Sequence, residues 1–142
     1  MQDVDTNQIA KQVKLVADSL IRYSEEAQLD LFLKGYDDSP SFSHFSSDGK
    51  RRNYEELKNI CTEYYTALKE QKISTLMERI NVIDEDLVII GWNGNILAQL
   101  KNGDSIIMNN YAITNVFKKV GGQWKIIHSH ESSLPPVITK KN

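Results

Sequence analysis

The chain has 142 residues, 40% of them hydrophobic and 25% charged, and its 17 basic and 19 acidic residues leave a formal net charge of −2. This composition is ordinary for a soluble globular protein and suffices for one domain with a buried core. Because the charge is balanced, nothing favours a nucleic-acid partner. The single cysteine, Cys61, excludes an internal disulfide and favours a cytoplasmic location. The charged N-terminal segment excludes the apolar core of a signal peptide, and the apolar run at 87–90 is too short to cross a bilayer, so we expect no membrane partner.

Helical periodicity dominates the first half of the chain. Apolar residues spaced i, i+4, i+7 and i+11 over 9–20 predict an amphipathic helix, which Asp5 or Thr6 would cap. Ser24 is a candidate cap for a second, shorter helix. The glycine and proline of segment 35–40 end that helix.

A hairpin and a third helix follow. The pair Asp48-Gly49 is typical of a tight turn between two short strands. Asn53 then predicts a helix start, since Glu56 three residues later completes a capping box. The apolar stripe over 57–68 gives this helix one buried face.

The second half of the chain changes to strand-like patterns rich in isoleucine and valine. Four such segments occur, at 72–83, 85–100, 105–120 and 123–133. The turn pairs Asn102-Gly103 and Gly121-Gly122 separate the last three. These strands are longer than usual, which predicts a strongly bent sheet. Its bulges are expected at Gly91, Gly94 or Asn109-Asn110.

The order of helices and strands predicts an α+β fold rather than α/β, because the two kinds of element are segregated along the chain. We expect one domain over 1–142, with a core at about 5–133 and a tail at 134–142. A curved sheet wrapped around helices would enclose a cone, whose mouth is a natural ligand pocket.

The closing segment carries a motif that points to a family. Its residues are Phe117, Lys118-Lys119, Gly122, Trp124, Ile126, His128, His130 and Ser132. With the preceding element order, this segment resembles the nuclear transport factor 2-like superfamily, in particular its SnoaL-like group and the association domain of calcium/calmodulin-dependent protein kinase II. The resemblance implies a cone-shaped barrel of three helices packed in a bent, mostly antiparallel sheet. It also implies a homodimer formed through the outer face of that sheet.

The chain departs from this family pattern at residues that matter for ligands. Glu131 stands where the kinase association domain has a pocket arginine, and the position of a second arginine falls near Ile107. An anionic ligand is therefore not supported. The catalytic aspartate of ketosteroid isomerase-like proteins is expected on the first short strand, where His44 is the only titratable residue.

The two histidines of the last strand have open interpretations. Two positions apart, His128 and His130 should share a face with Trp124 and Ile126. If that face lines the pocket, His130 would act as a general base and His128 would contact the ligand. Alternatively, both imidazoles are part of the core and form hydrogen bonds with backbone or helix groups. Glu131 would then face away from both, either as a pocket acid or base or as a solvated strand end. These face assignments conflict, since 128 and 130 cannot share a face with 131 on a regular strand.

The remaining candidates lie elsewhere in the predicted sheet and helices. His44 either points into the cone or is exposed on the hairpin. Trp92, Tyr111 and Asn109 would contact a ligand, or the aromatic rings belong to the core or the dimer interface. Tyr23 on the first helix either donates its hydroxyl to a ligand or packs.

No sequence motif implies a metal or a cofactor. Phosphate-binding loops, dinucleotide fingerprints and hydrolase elbows are absent from the sequence, so we expect neither cofactor nor metal. One hypothesis is a SnoaL-like protein that binds a small, mostly apolar organic molecule, with proton-transfer chemistry by His130, Glu131 and His44. The second is a non-catalytic association or ligand-binding module. The sequence leaves open whether the protein is an enzyme.

Overall fold

The computed structural model describes residues 5–142 and consists of helices followed by a strongly curved sheet. The helices are α1 (Thr6–Glu25), α2 (Leu29–Leu33) and α3 (Tyr54–Ala67). The strands are β1 (Ser43–Phe45), β2 (Arg51–Arg52), β3 (Leu68–Asp84), β4 (Leu87–Leu100), β5 (Ser105–Val120), β6 (Gln123–Ser132) and β7 (Val137–Thr139). The predicted α+β class and element order are confirmed.

The helix caps follow the sequence signals in two of three cases. The Asp5 side chain accepts a hydrogen bond from the backbone N–H of Gln8 and begins α1. Asn53 and Glu56 form the predicted capping box at the start of α3. The prediction for Ser24 is wrong, because α1 continues through it and α2 begins only after Gln28.

The sheet is mixed and open, with the strand order β2-β1-β6-β5-β4-β3. All the strand pairs are antiparallel except β1 with β6. The short strand β7 pairs with residues 105–107 of β5, the part of β5 that β6 does not reach. The predicted hairpin around Asp48-Gly49 joins β1 to β2, with Gly49 at a φ of 78°. Because β2 and β3 do not pair, the cone stays open on one side, which corrects the expectation of a barrel.

Bulges set which side chains face the helices. Lys69, Leu76 and Ile83 are each extra in β3, and in β5 the pair Asn109-Asn110 lies opposite the single residue Asn95 of β4, with Asn110 at a φ of 53°. The bulge expected at Asn109-Asn110 is therefore confirmed. A further bulge, at Ile127 in β6, had no signal in the sequence.

The core lies between the helices and the concave face of the sheet, here called the inner face. Its fully buried side chains come from helix α1, the loop before β1, and the inner face of β4 to β6: Val13, Phe42, Val88, Ile90, Phe117 and Ile126. The helices thus pack on the inner face, and a cavity lies between them and the sheet.

Gly94 on β4 lies where a side chain does not fit. A Cβ at this position would overlap the backbone carbonyl oxygen of Ser74 and the indole ring of Trp92. At Gly91, three residues earlier on the opposite face, a Cβ would meet nothing within 4 Å.

We therefore expect Gly94→Ala to lower the free energy of unfolding by about 1–3 kcal/mol, because a backbone atom cannot move away cheaply. The control variant Gly91→Ala should stay within about 0.5 kcal/mol of the wild type. Urea denaturation followed by tryptophan fluorescence measures both. Equal stabilities of the two variants would contradict the close packing at Gly94.

Candidate functional site

A cavity of about 380 Å³ lies between the inner face of the sheet and helices α1 and α3. Its size falls toward the lower end of the range for small-molecule sites, about 300–1,000 Å³. Most of its wall is apolar, including Leu57, Ile60, Ile73, Ile96, Met108 and Ile113. Such a wall suits an organic molecule with few polar groups.

The bulge at Ile127 decides which end of β6 faces this cavity. Val116 pairs with His128 but its neighbour Phe117 pairs with Ile126, so Ile127 is the extra residue. Trp124 and Ile126 before the bulge are buried, and after it Ser129 and Glu131 take the inner face. The expectation that His128 and His130 share a face with Trp124 and Ile126 is therefore wrong. Of the two conflicting face assignments, the structure has the one that places Glu131 on the inner face.

His44 and Glu131 meet inside the cavity. The imidazole of His44 is 4% exposed, and its Nε2 lies 3.6 Å from Glu131 Oε1. Its Nδ1 lies 2.5 Å from the hydroxyl of Ser129, and its Nε2 is also 3.1 Å from the hydroxyl of Ser46. This orientation follows from the parallel pairing of β1 with β6, which sets His44 directly opposite Ser129. Both ring nitrogens of His44 thus have a hydroxyl within hydrogen-bond distance, that of Ser129 and that of Ser46.

Two aromatic residues complete this end of the cavity. The hydroxyl of Tyr111 donates a hydrogen bond to Glu131 Oε2. Its ring packs edge-on against Trp92, with centroids 6.3 Å apart. The indole N–H of Trp92 donates to the hydroxyl of Thr75 at 2.9 Å, so the ring is fixed from β3. Glu131 is therefore positioned by Tyr111, and the His44 imidazole lies 3.6 Å from its other carboxylate oxygen.

A separate polar network closes the part of the cavity formed by α1, α3 and β3. Tyr64 donates to the side-chain oxygen of Gln71, whose amide donates to the hydroxyl and the carbonyl of Ser24. Tyr65 also donates to the Ser24 hydroxyl at 2.9 Å. Because these groups satisfy one another, the network serves as a wall rather than as a ligand-binding set.

Burial keeps the thiol of Cys61 and the phenols of Tyr64 and Tyr36, which also line the cavity, neutral. Desolvation raises the pKa of Tyr64 to about 12, and it raises the pKa of the Cys61 thiol to about 12. The Cys61 side chain lines the cavity, but a protonated thiol is a poor nucleophile. The pKa of the fully buried Tyr36 is raised well above its usual value, again mainly by desolvation.

Four of the eight candidate residues line the cavity and four do not. His44, Glu131, Trp92 and Tyr111 come together there. The side chain of His130 is exposed on the outer, convex face, against Phe45. His128 lies on the same outer face and bonds to Ser43, with 2.9 Å between Nδ1 and Oγ.

The other two residues outside the cavity are on a bulge and a helix. Asn109 belongs to the bulge of β5 and is exposed. Tyr23 packs from α1 against the core cluster, with the Arg22 guanidinium 5.2 Å from its ring centroid.

Three polar residues of the site were not among the candidates from sequence. They are Ser46 on the β1–β2 turn, Ser129 on β6 and Asn115 on β5. A signal for Asn115 existed: Tyr111, Ile113, Asn115 and Phe117 alternate along β5. Ser129 had no signal of this kind, since its inner position depends on the bulge at Ile127.

The chemistry of this arrangement is that of acid and base groups in an apolar cavity. A carboxylate with an imidazole and a phenol beside it can remove, hold and return a proton. Within residues 5–142, no three His, Cys, Asp or Glu side chains are grouped as a metal site would require.

The fold and this site define the class of protein. Three helices on the concave face of a strongly bent sheet, with an apolar cavity between them, are the architecture of the nuclear transport factor 2-like superfamily. The model of the SnoaL-like domain matches residues 13–137, and the chain belongs to this SnoaL-like family. Comparison with curated protein sequences gives no match.

Solved structures with the same fold include enzymes and an assembly domain. A candidate scytalone dehydratase from Novosphingobium aromaticivorans is similar with a TM-score of 0.82 and 10% identity, over 97% of this chain and 93% of that one. A type 2 hexachlorocyclohexane dehydrochlorinase gives a TM-score of 0.75 and 13% identity, over 96% and 94% of the two chains. The association domain of the C. elegans calcium/calmodulin-dependent protein kinase II gives 0.67 and 16%, over 86% and 93%. At these identities the likeness shows the fold alone.

The helices of the described segment, residues 5–142, include none with the length and apolar character that a membrane crossing requires.

His128 gives the fold a pH dependence. Burial lowers the pKa of its imidazole from the ordinary value of 6.5, and the nearby rings of His130 and His44 lower it further. The unfolded chain therefore takes up a proton at a higher pH than the folded chain does. The free energy of unfolding should fall as the pH drops below about 6.5. Above that value His128 should not change how the free energy of unfolding depends on pH.

The variant His128→Gln should lose less stability than the wild type between about pH 7.5 and about pH 5. Urea midpoints measured at both pH values for both proteins test this expectation. If the two proteins lost stability in parallel, the lowered pKa of His128 would be contradicted.

Proposed function

We propose that this SnoaL-like protein catalyses cofactor-independent proton transfer on a small, mostly apolar organic molecule. The observation that carries the proposal is the pair of Glu131 and His44 inside an apolar cavity, with 3.6 Å between Oε1 and Nε2. Carboxylate and imidazole groups are the usual general bases of enzymes. The presence of dehydratase and dehydrochlorinase structures among those with this fold agrees with the proposal but does not carry it.

The proposed step begins at a carbon next to a carbonyl group of the ligand. The Glu131 carboxylate takes a proton from that carbon, which forms an O–H bond on Glu131 and leaves the electron pair in an enolate. Returning the proton to another carbon completes an isomerisation. Delivering it to a departing hydroxyl group, which leaves as water, completes a dehydration.

His44 and Tyr111 have supporting roles in this step. The His44 Nε2 lies 3.6 Å from one carboxylate oxygen, so the two side chains need a small approach before the imidazole can share the proton. The Tyr111 hydroxyl holds the other oxygen. Ser129 fixes the His44 ring through Nδ1.

Glu131→Gln should reduce proton exchange at the carbon next to the carbonyl of a cyclic ketone by at least about 100-fold, since the amide cannot act as a base. His44→Asn should also slow this exchange. The measurement is deuterium incorporation from D₂O into tetralone, followed by proton NMR.

The matched control is His130→Asn, which removes an imidazole one residue from Glu131 but on the outer face of the sheet. This control should exchange at the wild-type rate. Loss of exchange in His130→Asn together with full activity in Glu131→Gln would overturn the proposal.

We also propose that the protein is a homodimer through the outer face of its sheet. The exposed apolar side chains of Met77 and Leu97 on this face support it, being 60% and 42% accessible. Burying such side chains against a second copy is favourable. An association module without turnover is the alternative function, and this same face would carry it.

Met77→Glu should weaken this dimer, because it places a charge in the proposed interface. Sedimentation should give the wild type twice the chain mass of 16.2 kDa and shift the variant toward the monomer. Leu15→Glu is the control, since Leu15 is equally exposed but lies on α1. A wild type that sediments as a monomer would contradict the proposed dimer.

We further propose that residues 1–142 act as one SnoaL-like unit in the cytoplasm, with a core over about 5–133. The single cysteine supports a reducing compartment. Within the proposed tail, β7 pairs with β5, and Asp104 accepts a hydrogen bond from the backbone N–H of Lys141 at 3.0 Å. These contacts attach the tail to the sheet.

A further inference from the structure

A groove of about 400 Å³ crosses the outer face of the sheet where β1, β6 and the end of β5 lie side by side. It shares no lining residue with the cavity on the inner face. Ile127, the extra residue of the bulge in β6, lies in its wall together with Val120. The polar part of the wall comes from Asp37, Ser41, Ser43, Lys118, Lys119 and His128.

Positive charge collects on the β5 side of this groove. Lys118 and Lys119 are exposed, and no ion pair within residues 5–142 includes either of them. Lys125 on β6 is directly opposite Lys118 and adds a third cation. Lys119 contributes charge rather than a contact, since its Nζ lies 6.0 Å from the ring centroid of Trp124. The groove therefore attracts anions, and Lys118 is the lysine placed to touch one.

The carboxylates nearest the groove are engaged elsewhere. Asp37 lies in the wall, but it accepts a hydrogen bond from the hydroxyl of Ser39 at 2.6 Å. In the turn between β3 and β4, Asp84 accepts a hydrogen bond from the backbone N–H of Asp86 at 2.8 Å. Within residues 5–142, no ion pair joins either side chain to a lysine of the groove. These carboxylates leave the lysines open to a ligand.

Hydrogen-bond donors reach the groove from two strands. His128 Nδ1 lies 2.9 Å from Ser43 Oγ, so Nε2 is the ring nitrogen that a ligand can contact. Val116 on β5 pairs with His128, and Lys118 follows two residues later on the same face. Diagonal neighbours of this kind lie within reach of long side chains. The ammonium of Lys118 and the imidazole of His128 can therefore bind one ligand between them.

The charge and number of these donors favour a phosphate group over a carboxylate. A phosphate monoester carries a charge of about −1.5 to −2 at neutral pH and offers three acceptor oxygens, whereas a carboxylate offers two. Three oxygens can accept from the Lys118 ammonium, the His128 imidazole and the Ser41 hydroxyl at once. The groove is larger than a phosphate group, and Ile127 and Val120 provide apolar surface beside it. A small ring on the ester would occupy that part.

We propose that this groove binds a small phosphate monoester. Lys118, His128 and Ser41 hold the phosphate, and the organic group lies against Ile127 and Val120. The bulge at Ile127 thus gives the sheet two sites, one on each face.

This second site is independent of the proposed catalytic site and of the proposed dimer. It opens on the outer face, whereas Glu131 lines the cavity on the inner face. On β4, Met77 pairs with Asn93 and Lys118 pairs with Leu87. Six residues of a strand separate these two positions by about 20 Å. Anion binding can therefore be tested without relying on proton exchange or on association.

The test titrates ¹⁵N-labelled protein with phenyl phosphate, inorganic phosphate and benzoate and follows the ring nitrogens of the histidines. Phenyl phosphate should shift the signals of His128 and leave those of His44, inside the cavity, unchanged. Inorganic phosphate should bind about tenfold more weakly, because it lacks the ring. Benzoate should also bind at least about tenfold more weakly, because it has one charge and two oxygens.

Saturation with phenyl phosphate should also raise the pKa of His128, because a neighbouring dianion favours the charged imidazole. In the free protein burial lowers this pKa, and the rings of His130 and His44 lower it further. The ammonium of Lys118 acts in the same direction, and the carboxylate of Asp37 acts against it. The ligand adds negative charge to this set, so the sign of the change is fixed.

Lys118→Met should weaken the binding of phenyl phosphate by at least about tenfold, because it keeps the length of the side chain and removes its charge. Lys118 is exposed, so the variant should keep the stability of the wild type. The matched control is Lys101→Met, which changes an exposed lysine in the turn between β4 and β5, at the other end of the sheet. This control should bind phenyl phosphate like the wild type.

Four results would overturn the inference. They are no saturable shift of His128 with phenyl phosphate up to about 10 mM, a shift of His44 in place of His128, equal binding of inorganic phosphate, and equal weakening in Lys118→Met and Lys101→Met. The last result would mean that the anion responds only to the net charge of the protein. Deuterium exchange at a carbon next to a carbonyl is a separate measurement, so either proposal can fail while the other holds.

Discussion

The bulge at Ile127 is the constraint on which the candidate site depends. In a regular strand every second side chain faces the same way, so the inner position of Trp124 and Ile126 would bring His128 and His130 inward as well. One extra residue reverses this order for the rest of β6. The two imidazoles move to the outer face, and Ser129 and Glu131 move to the inner face, where Glu131 lines the cavity. The parallel strand β1 then supplies His44, so that a carboxylate and an imidazole from distant parts of the chain meet.

The walls around this pair divide into satisfied and unsatisfied polar groups. The network of Gln71, Tyr64 and Ser24 is complete and fixes α1 and α3 against β3. Glu131 accepts a hydrogen bond from Tyr111, whereas the side-chain oxygen of Asn115 has no partner among residues 5–142. Groups that are left unpaired at the wall of a cavity lower stability. The cavity wall therefore combines a side whose polar groups satisfy one another with a side that holds the unpaired oxygen of Asn115.

Local signals in the sequence predicted most of the fold. The capping box of Asn53 and Glu56 and the turns at Asp48-Gly49 and Asn102-Gly103 depend on residues a few positions apart, and they occur as expected. The faces of β6 could not be predicted in this way, since they depend on the pairing of Val116 and Phe117 with another strand. His44 and Glu131 were among the candidates, but their contact depends on the parallel pairing of β1 with β6, which has no local signature. The openness of the sheet has the same origin, because it reflects a missing pair between β2 and β3.

The most direct test of this account uses the nitrogen signals of the three histidine rings. Glu131 is adjacent to His130 in the sequence but faces His44 across the cavity. In ¹⁵N-labelled protein, the substitution Glu131→Gln should therefore shift the ring nitrogens of His44 and leave those of His130 nearly unchanged. A large shift of the His130 ring with an unchanged His44 ring would mean that Glu131 lies on the outer face. That result would contradict the bulge at Ile127 and the site built on it.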